Sequence, residues 1–249
     1  MDIIKFDLGL HVHNAVDVSI PQKNYFLKYG EDGIINQKLF FDFLNISENF
    51  KDRVVVANAF STEILHIEDK AYSGYTGNFS NCNKYDGVIT QIRRLALFTV
   101  FGDCPQLIVV GKKTIALLHA SRKTIDDNII FVFFEKFKKF ENAEDIKVAI
   151  SPYITEKYFT HEYLNLKRGV NWKKHIAIKD NLYLIDLASM IKEDLKSVGI
   201  NEENFINLKI DTWELSEKSV EKLGCSVSHR YAVTFDRKEG RGGMMVMLK

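Results

Sequence analysis

The sequence predicts an α+β fold carried by one domain over residues 1–249. With 249 residues, 46% of them hydrophobic, the chain can bury a substantial core. Strand-like apolar runs and segments of helical period follow one another without strict alternation, which argues against a regular βα repeat. Only three prolines occur, at 21, 105 and 152, and no Gly/Ser linker, internal repeat or low-complexity segment divides the chain.

The elements follow in order. His11 and His13 are spaced i, i+2, so a strand would turn both to one face. That spacing suits a pair of metal ligands, and equally an ordinary edge-strand pair. Residues 35–44 read as a helix ending at Asn45, and the β-branched run 53–57 reads as a buried strand. Residues 71–86, rich in Gly, Ser, Asn and Tyr, read as a long loop of the kind that often carries function. The apolar runs 95–101 and 107–110 are strands separated by Gly102-Asp103-Cys104-Pro105. Gly111-Lys112-Lys113 forms a hairpin-like turn into a strand over 114–118. Residues 124–140 then change period: Ile125, Ile129, Val132, Phe133, Lys136, Phe137 and Phe140 follow helical spacing with one apolar face. A strand over 146–150 ends at Ser151-Pro152, and a helix over 183–198 turns Ile185, Leu187, Met190, Ile191 and Leu195 inward, with Gly199 as its C-terminal cap. Strands over 205–210 and 244–248 complete the series.

Charge and cysteine usage narrow the class. With 34 basic and 33 acidic side chains the net charge is +1, so neither nucleic acid nor an anionic membrane is an expected partner. Cys82, Cys104 and Cys225 are odd in number and widely spaced, a poor disulfide framework that suggests a reducing compartment. No stretch approaches the roughly 20 apolar residues of a membrane span. Met1-Asp2-Ile3-Ile4-Lys5 lacks the basic start and long apolar run of a secretory signal. The expectation is a soluble cytoplasmic protein, a monomer or weak homo-oligomer.

The strongest chemical signal pairs Gly102-Asp103-Cys104-Pro105 with Leu117-Leu118-His119-Ala120-Ser121. If the strands flanking them are neighbours, the Cys104 thiol and the His119 imidazole reach the same end of one sheet, with Asp103 beside them. Such a pair can bind a soft metal such as zinc or copper(I). It can also act as a thiolate–imidazolium nucleophile. The plain alternative is an inert core cysteine and a satisfied strand-end histidine.

Five segments, taken together, resemble the YfiH-type family of laccase-domain, purine nucleoside phosphorylase-like proteins. Gly102-Asp103-Cys104-Pro105-Gln106 is similar to the family's Ala-Asp-Cys-Leu-Pro, and His119-Ala120-Ser121-Arg122-Lys123 to its His-Ala-Gly-Trp-Arg-Gly about fifteen residues later. Asp86-Gly87-Val88-Ile89-Thr90, Ser151-Pro152-Tyr153-Ile154 and Arg237-Lys238-Glu239-Gly240-Arg241-Gly242-Gly243-Met244 match further motifs in the family's order. Two departures stand out. The family's Gln-Val-His-Gly aligns with Asn58-Ala59-Phe60-Ser61, so Phe60 stands where the family has a third metal ligand; His66 is the candidate displaced substitute. The family's Gly-Trp-Arg has become Ser121-Arg122-Lys123.

The resemblance implies packed mixed β-sheets flanked by helices, and a metal site of Cys104, His119 and the substitute His66. It implies zinc, placed in doubt by Phe60; copper fits less well, because a laccase needs more converging imidazoles than seven scattered histidines offer. The activity implied is phosphorolysis of adenosine, inosine or guanosine, with adenosine deamination beside it, so a nucleoside and phosphate are the expected partners. Cys104, His119 and Asp103 would form the catalytic group, and Arg122, Lys123, Arg237 and Arg241 the substrate-binding cations. Two alternatives accompany it: a catalytically degenerate paralogue acting as a binding or regulatory protein, and a peptidoglycan-precursor editing factor.

Overall fold

A computed structural model describes residues 3–17, 31–56, 58–69, 84–223 and 225–249. The strands are β1 (Ile3–Ile4), β2 (Val12–Asp17), β3 (Val54–Val55), β4 (Ile64–Ile67), β5 (Gly87–Thr90), β6 (Ala96–Phe101), β7 (Gln106–Val110), β8 (Ile115–His119) and β9 (Lys147–Ile150). They continue with β10 (Thr160–His161), β11 (Ile176–Lys179), β12 (Leu182–Ile185), β13 (Phe205–Ile206), β14 (Cys225–Ser226), β15 (Lys238–Glu239) and β16 (Gly242–Leu248). The helices are α1 (Glu31–Phe43), α2 (Arg122–Asp126), α3 (Ile129–Phe137), α4 (Leu187–Ser197), α5 (Thr212–Leu223) and α6 (His229–Thr234).

Two mixed sheets stack face to face, as the α+β expectation requires. One runs β1-β2-β16-β6-β3 and the other β13-β9-β7-β8-β5-β4. Their facing sides share one core: Val16, Leu97, Phe101 and Val246 from the first meet Val88, Ile108, Ile115 and Leu117 from the second. β8 is buried at all five positions, as a central strand covered on both faces must be. Outside the second sheet, Ile129, Ile130, Phe133, Phe134 and Phe137 of α3 and Ile191 and Leu195 of α4 build a second core. Outside the first, Phe40 and Phe41 of α1 pack on Phe98, Met245 and Met247. The layers are therefore helix, sheet, sheet, helices. Gly242 is required where β16 crosses β6, because a Cβ there would lie 2.2 Å from the Phe101 ring.

Several local readings need correction. The helix expected over 124–140 is two helices, because Asn128 takes a left-handed backbone, φ 65°, and lets α3 turn onto the sheet. The helix expected over 183–198 begins only at Leu187, where Asp186 caps it by accepting from the Ser189 N–H. The apolar residues before it form β12, paired with β11 through a tight turn at Asp180 and Asn181, both at positive φ. The helical spacing holds only from Leu187 onward, through Met190, Ile191 and Leu195; Ile185 and Leu187 stand two apart, the period of a strand. The strand over 205–210 shrinks to two residues parallel to β9. His11 precedes β2, so the pair does not share a strand: His11 Nε2 contacts the Gly111 carbonyl at 2.8 Å, while His13 pairs with Met247. The loop expected over 71–86 lies, up to residue 83, outside the described residues, as does Cys82. Among the described residues no helix is long and apolar enough to cross a membrane.

Candidate functional site

Sheet register brings the chemistry to one end of the sandwich. β6 leaves the first sheet at Phe101, and Gly102-Asp103-Cys104-Pro105 carries the chain across to β7 in the second. β8 ends at that level, since His119 stands opposite Gln106. On the other side of β8, the Asp86 carbonyl, just before β5, accepts the His119 N–H at 2.7 Å. Asp86, His119 and Gln106 thus form one row across three neighbouring strands.

The centre of the row is an imidazole–carboxylate pair. His119 Nδ1 lies 2.7 Å from Asp86 Oδ1, and the two side chains are 1% and 0% exposed. Burial alone raises the Asp86 carboxyl, but His119 and the backbone N–H groups of Ser61 and Phe60 outweigh it and hold the group at about 2. Asp86 is therefore a carboxylate, which accepts from His119 Nδ1–H and leaves Nε2 as the ring's open nitrogen. Nε2 is buried and has no hydrogen-bond partner; the same is true of Gln106 Oε1. The Gln106 amide nitrogen donates to Asn58 Oδ1 at 3.3 Å.

The loop before β4 wraps Asp86. Phe60 N–H donates to Oδ1 at 2.9 Å, Thr62 N–H to Oδ2 at 3.1 Å, and Ser61 N–H also to Oδ2. Phe60 and Thr62 adopt positive φ, 57° and 68°. Non-glycine residues, β-branched Thr above all, resist that conformation, so the carboxylate holds the loop against its own preference. Lys123 Nζ donates to the Phe60 carbonyl at 2.8 Å. The Phe60 ring consequently lies edge-to-face on the His119 ring, centroids 4.9 Å apart.

His119, Phe60 and Cys104 line a cavity of about 800 Å³, together with Asn58, Phe159, Arg230 and Arg241. Burial, reinforced by Asp103 and Asp86 and opposed by Arg241, pushes the Cys104 thiol up to about 12. At that value the thiol, and not the thiolate, is the resting form of Cys104. Arg230 donates to the Thr160 carbonyl at 2.5 Å and its guanidinium lies 5.1 Å from the Phe159 ring centre. Arg241 is held by the Gly240 carbonyl at 2.7 Å and by Glu239, and packs so closely on Gly102 that a Cβ there would stand 3.1 Å from its Nε.

The expected site residues divide accordingly. Cys104, His119, Asp103 and Arg241 all line one cavity. Asp103 does not support His119: its carboxylate accepts from the Thr212 hydroxyl at 3.0 Å and the Arg230 N–H at 2.8 Å, anchoring α6, and Asp86 takes the role expected of it. His66 is no substitute ligand. It stands level with Ile89 and Ala116, which face the helix layer, and packs on Phe140 with ring centres 4.5 Å apart. His119 follows Leu117 in alternation and faces the other side of the sheet. Lys123 acts on Phe60, as above, and Arg122 and Arg237 are not among the cavity's walls. Arg230, Gln106 and Asp86 were not singled out. Asp86 was visible only as part of a motif, and Arg230 lies in a helix whose sequence carries no signal of its own.

The donor set does not fit the zinc that the resemblance implies. Zinc in a catalytic site takes three protein ligands. Cys104 and His119 supply two, Phe60 has none to give, and among the described residues no three His, Cys, Asp or Glu side chains are grouped to hold a metal. A copper cluster, with its larger demand for imidazoles, fits still less.

Comparison with known proteins places this geometry in context. The sequence model described as multi-copper polyphenol oxidoreductase laccase matches residues 34–246. A Rickettsia conorii protein named purine nucleoside phosphorylase is 30% identical over 136 residues, 51% of this chain and 55% of its own, so the match spans about half the length of that relative. Among solved structures, YlmD from Geobacillus stearothermophilus superposes with a TM-score of 0.78 at 16% identity, covering 98% of this chain and 94% of its own. The Bacillus licheniformis hypothetical protein YfiH gives 0.76 at 20%, covering 96% and 93%. Neisseria meningitidis NMB0706 gives 0.73 at 12%, covering 99% and 98%. At these identities the three share the fold.

Proposed function

The chain belongs to the multi-copper polyphenol oxidoreductase laccase family, and from that premise we propose that it is an enzyme of purine nucleosides that cleaves the glycosidic bond with phosphate. The observation that carries this is the buried, unpartnered Nε2 of His119, on a ring fixed by Asp86, in the wall of a cavity that also holds Arg230 and Arg241. The substrate class is supported by the name of the Rickettsia relative.

In phosphorolysis a hydrogen phosphate oxygen bonds to C1′ as the C1′–N9 bond breaks. The electron pair leaves on the purine, and the proton that phosphate loses is the one the purine gains. Arg230 and Arg241 suit the phosphate, being planar cations that pair with oxyanions through paired N–H donors. Nε2 suits the proton relay, because Asp86 fixes the ring's orientation and tautomer through Nδ1. Gln106, opposite His119, steadies the cavity wall from behind by donating to Asn58 Oδ1. Phe60 and Phe159 give aromatic walls of the kind that accept a purine face.

The test is product analysis after incubation with adenosine, inosine and guanosine, with and without phosphate. Free base and sugar phosphate should appear with phosphate, and deaminated product is scored in the same runs. If nothing exceeds the Cys104→Ala/His119→Ala double variant, the reading fails.

A second reading, a nucleoside-binding protein without turnover, is favoured by one observation: Phe60 covers His119 with a hydrocarbon ring. Saturable nucleoside binding by calorimetry with no product would select it.

A further inference from the structure

Two imidazoles on one tetrahedral zinc, each with a Zn–N distance of about 2.0–2.1 Å, have ring centres about 5 Å apart. The Phe60 and His119 ring centres are 4.9 Å apart. Position 60 therefore stands where a second imidazole would share a metal with His119, and Cys104 lines the same cavity. A phenyl ring fills that place without a donor atom. Its backbone is not free to swing a different residue in, because its N–H is bonded to Asp86 and its carbonyl to Lys123.

We infer that residue 60 decides whether this site holds a metal, and that with Phe60 the chain works as a metal-independent member of its family, His119 Nε2 standing free beside Gln106. The inference concerns what the site binds and does not depend on the nucleoside reading.

Gln106 strengthens it. It occupies the place of the family motif's proline, and it is the residue directly opposite His119. Phe60 and Gln106 thus flank the same imidazole: one offers no donor atom to a metal, the other is a neutral amide. Gln106 does not bond His119 Nε2: Gln106 Oε1 and His119 Nε2 both lack a hydrogen-bond partner and the Gln106 amide nitrogen donates to Asn58, so His119 Nε2 stays open to a substrate atom.

The experiment is zinc stoichiometry by elemental analysis after incubation with zinc chloride and desalting. Three chains are compared: wild type, Phe60→His, and Phe60→His/Cys104→Ala. Histidine is among the residues that tolerate positive φ, so Phe60→His keeps the loop. We expect under about a tenth of an equivalent in wild type, about one in Phe60→His, and a loss of at least about tenfold in affinity when Cys104 is also removed. About one zinc per chain in wild type overturns the inference whatever Phe60→His does. A folded Phe60→His, verified by circular dichroism, that gains no zinc overturns the role of position 60. Absence of nucleoside turnover leaves these zinc results to stand, so the two readings fail separately.

Discussion

Gln106 faces His119 across the β7–β8 ladder, and each carries a buried polar atom, Oε1 and Nε2, without a hydrogen-bond partner. Such atoms each cost about 1–3 kcal/mol when left dry. Unpartnered polar atoms grouped beside a cavity are the arrangement of a site that takes a ligand.

Replacing Gln106 with Leu removes one of the two orphaned atoms. The ligand-free protein should be as stable as wild type or more stable by up to about 1 kcal/mol, while nucleoside affinity drops about tenfold. Urea midpoints and calorimetric titration measure the two sides. A variant both less stable and equal in affinity would assign Gln106 a purely structural role through its bond to Asn58.

Asp86→Asn keeps the shape and removes the charge. The amide can present its nitrogen to Nδ1 and so favour the wrong tautomer of His119, and second-layer losses of this type cost about 10–100-fold or more in rate. The Phe60–Thr62 loop also loses its anionic acceptor, so a loss of about 1–3 kcal/mol in stability should accompany the change. A turnover number that falls while KM for the nucleoside holds would mark Asp86 as positioning the imidazole; unchanged turnover would remove it from the mechanism.

The fold was legible because its signals are local. Continuous apolar runs mark β6, β7 and β8, and the glycine–lysine turn marks the β7–β8 hairpin, so the meeting of Cys104 and His119 at one sheet end is legible in the sequence. Alternation ruled on His66 only after its register was known, since one residue's shift would have moved it to the other face. The Asp86–His119 bond joins residues 33 apart, and Arg230 reaches the cavity from a short helix anchored on Asp103. Contacts of that range are set by how sheets stack, and nothing in the local pattern encodes them. Phe60 is the intermediate case: the motif register located it, and the packing gave its meaning.

His161 should make the protein acid-sensitive above the usual carboxylate range. Burial first, then Arg230 and Arg122, lower its pKa from 6.5 to about 4. The native state thus refuses a proton that the unfolded chain accepts. The stabilisation is complete above pH 6.5 and is lost as pH falls from 6.5 toward 4. Between pH 7 and pH 5 wild type should lose about 1 kcal/mol more than His161→Phe, allowing for the ring's partial exposure. Parallel urea titrations that track each other at both pH values would contradict this.

Arg230 and Arg241 line the cavity, whereas Arg122 and Arg237 are not among its walls, and this separates four arginines that sequence alone does not rank. If the two cavity guanidiniums hold phosphate, Arg230→Gln and Arg241→Gln should each raise KM for phosphate or lower turnover by about a hundredfold, the worth of one charge-assisted paired contact in a dry site. Lysine should not restore either, because a point charge cannot reproduce the planar fork. Arg241→Gln also leaves Glu239 with His229 alone, so its fold is checked by thermal melting beside Arg230→Gln, whose side chain bonds only to a carbonyl among the described hydrogen bonds. Arg122→Gln and Arg237→Gln should stay within about twofold of wild type. Equal losses at all four positions would point to a diffuse electrostatic effect, and the loss should then fade as ionic strength rises; losses confined to Arg230 and Arg241 and insensitive to salt are what a built anion site requires.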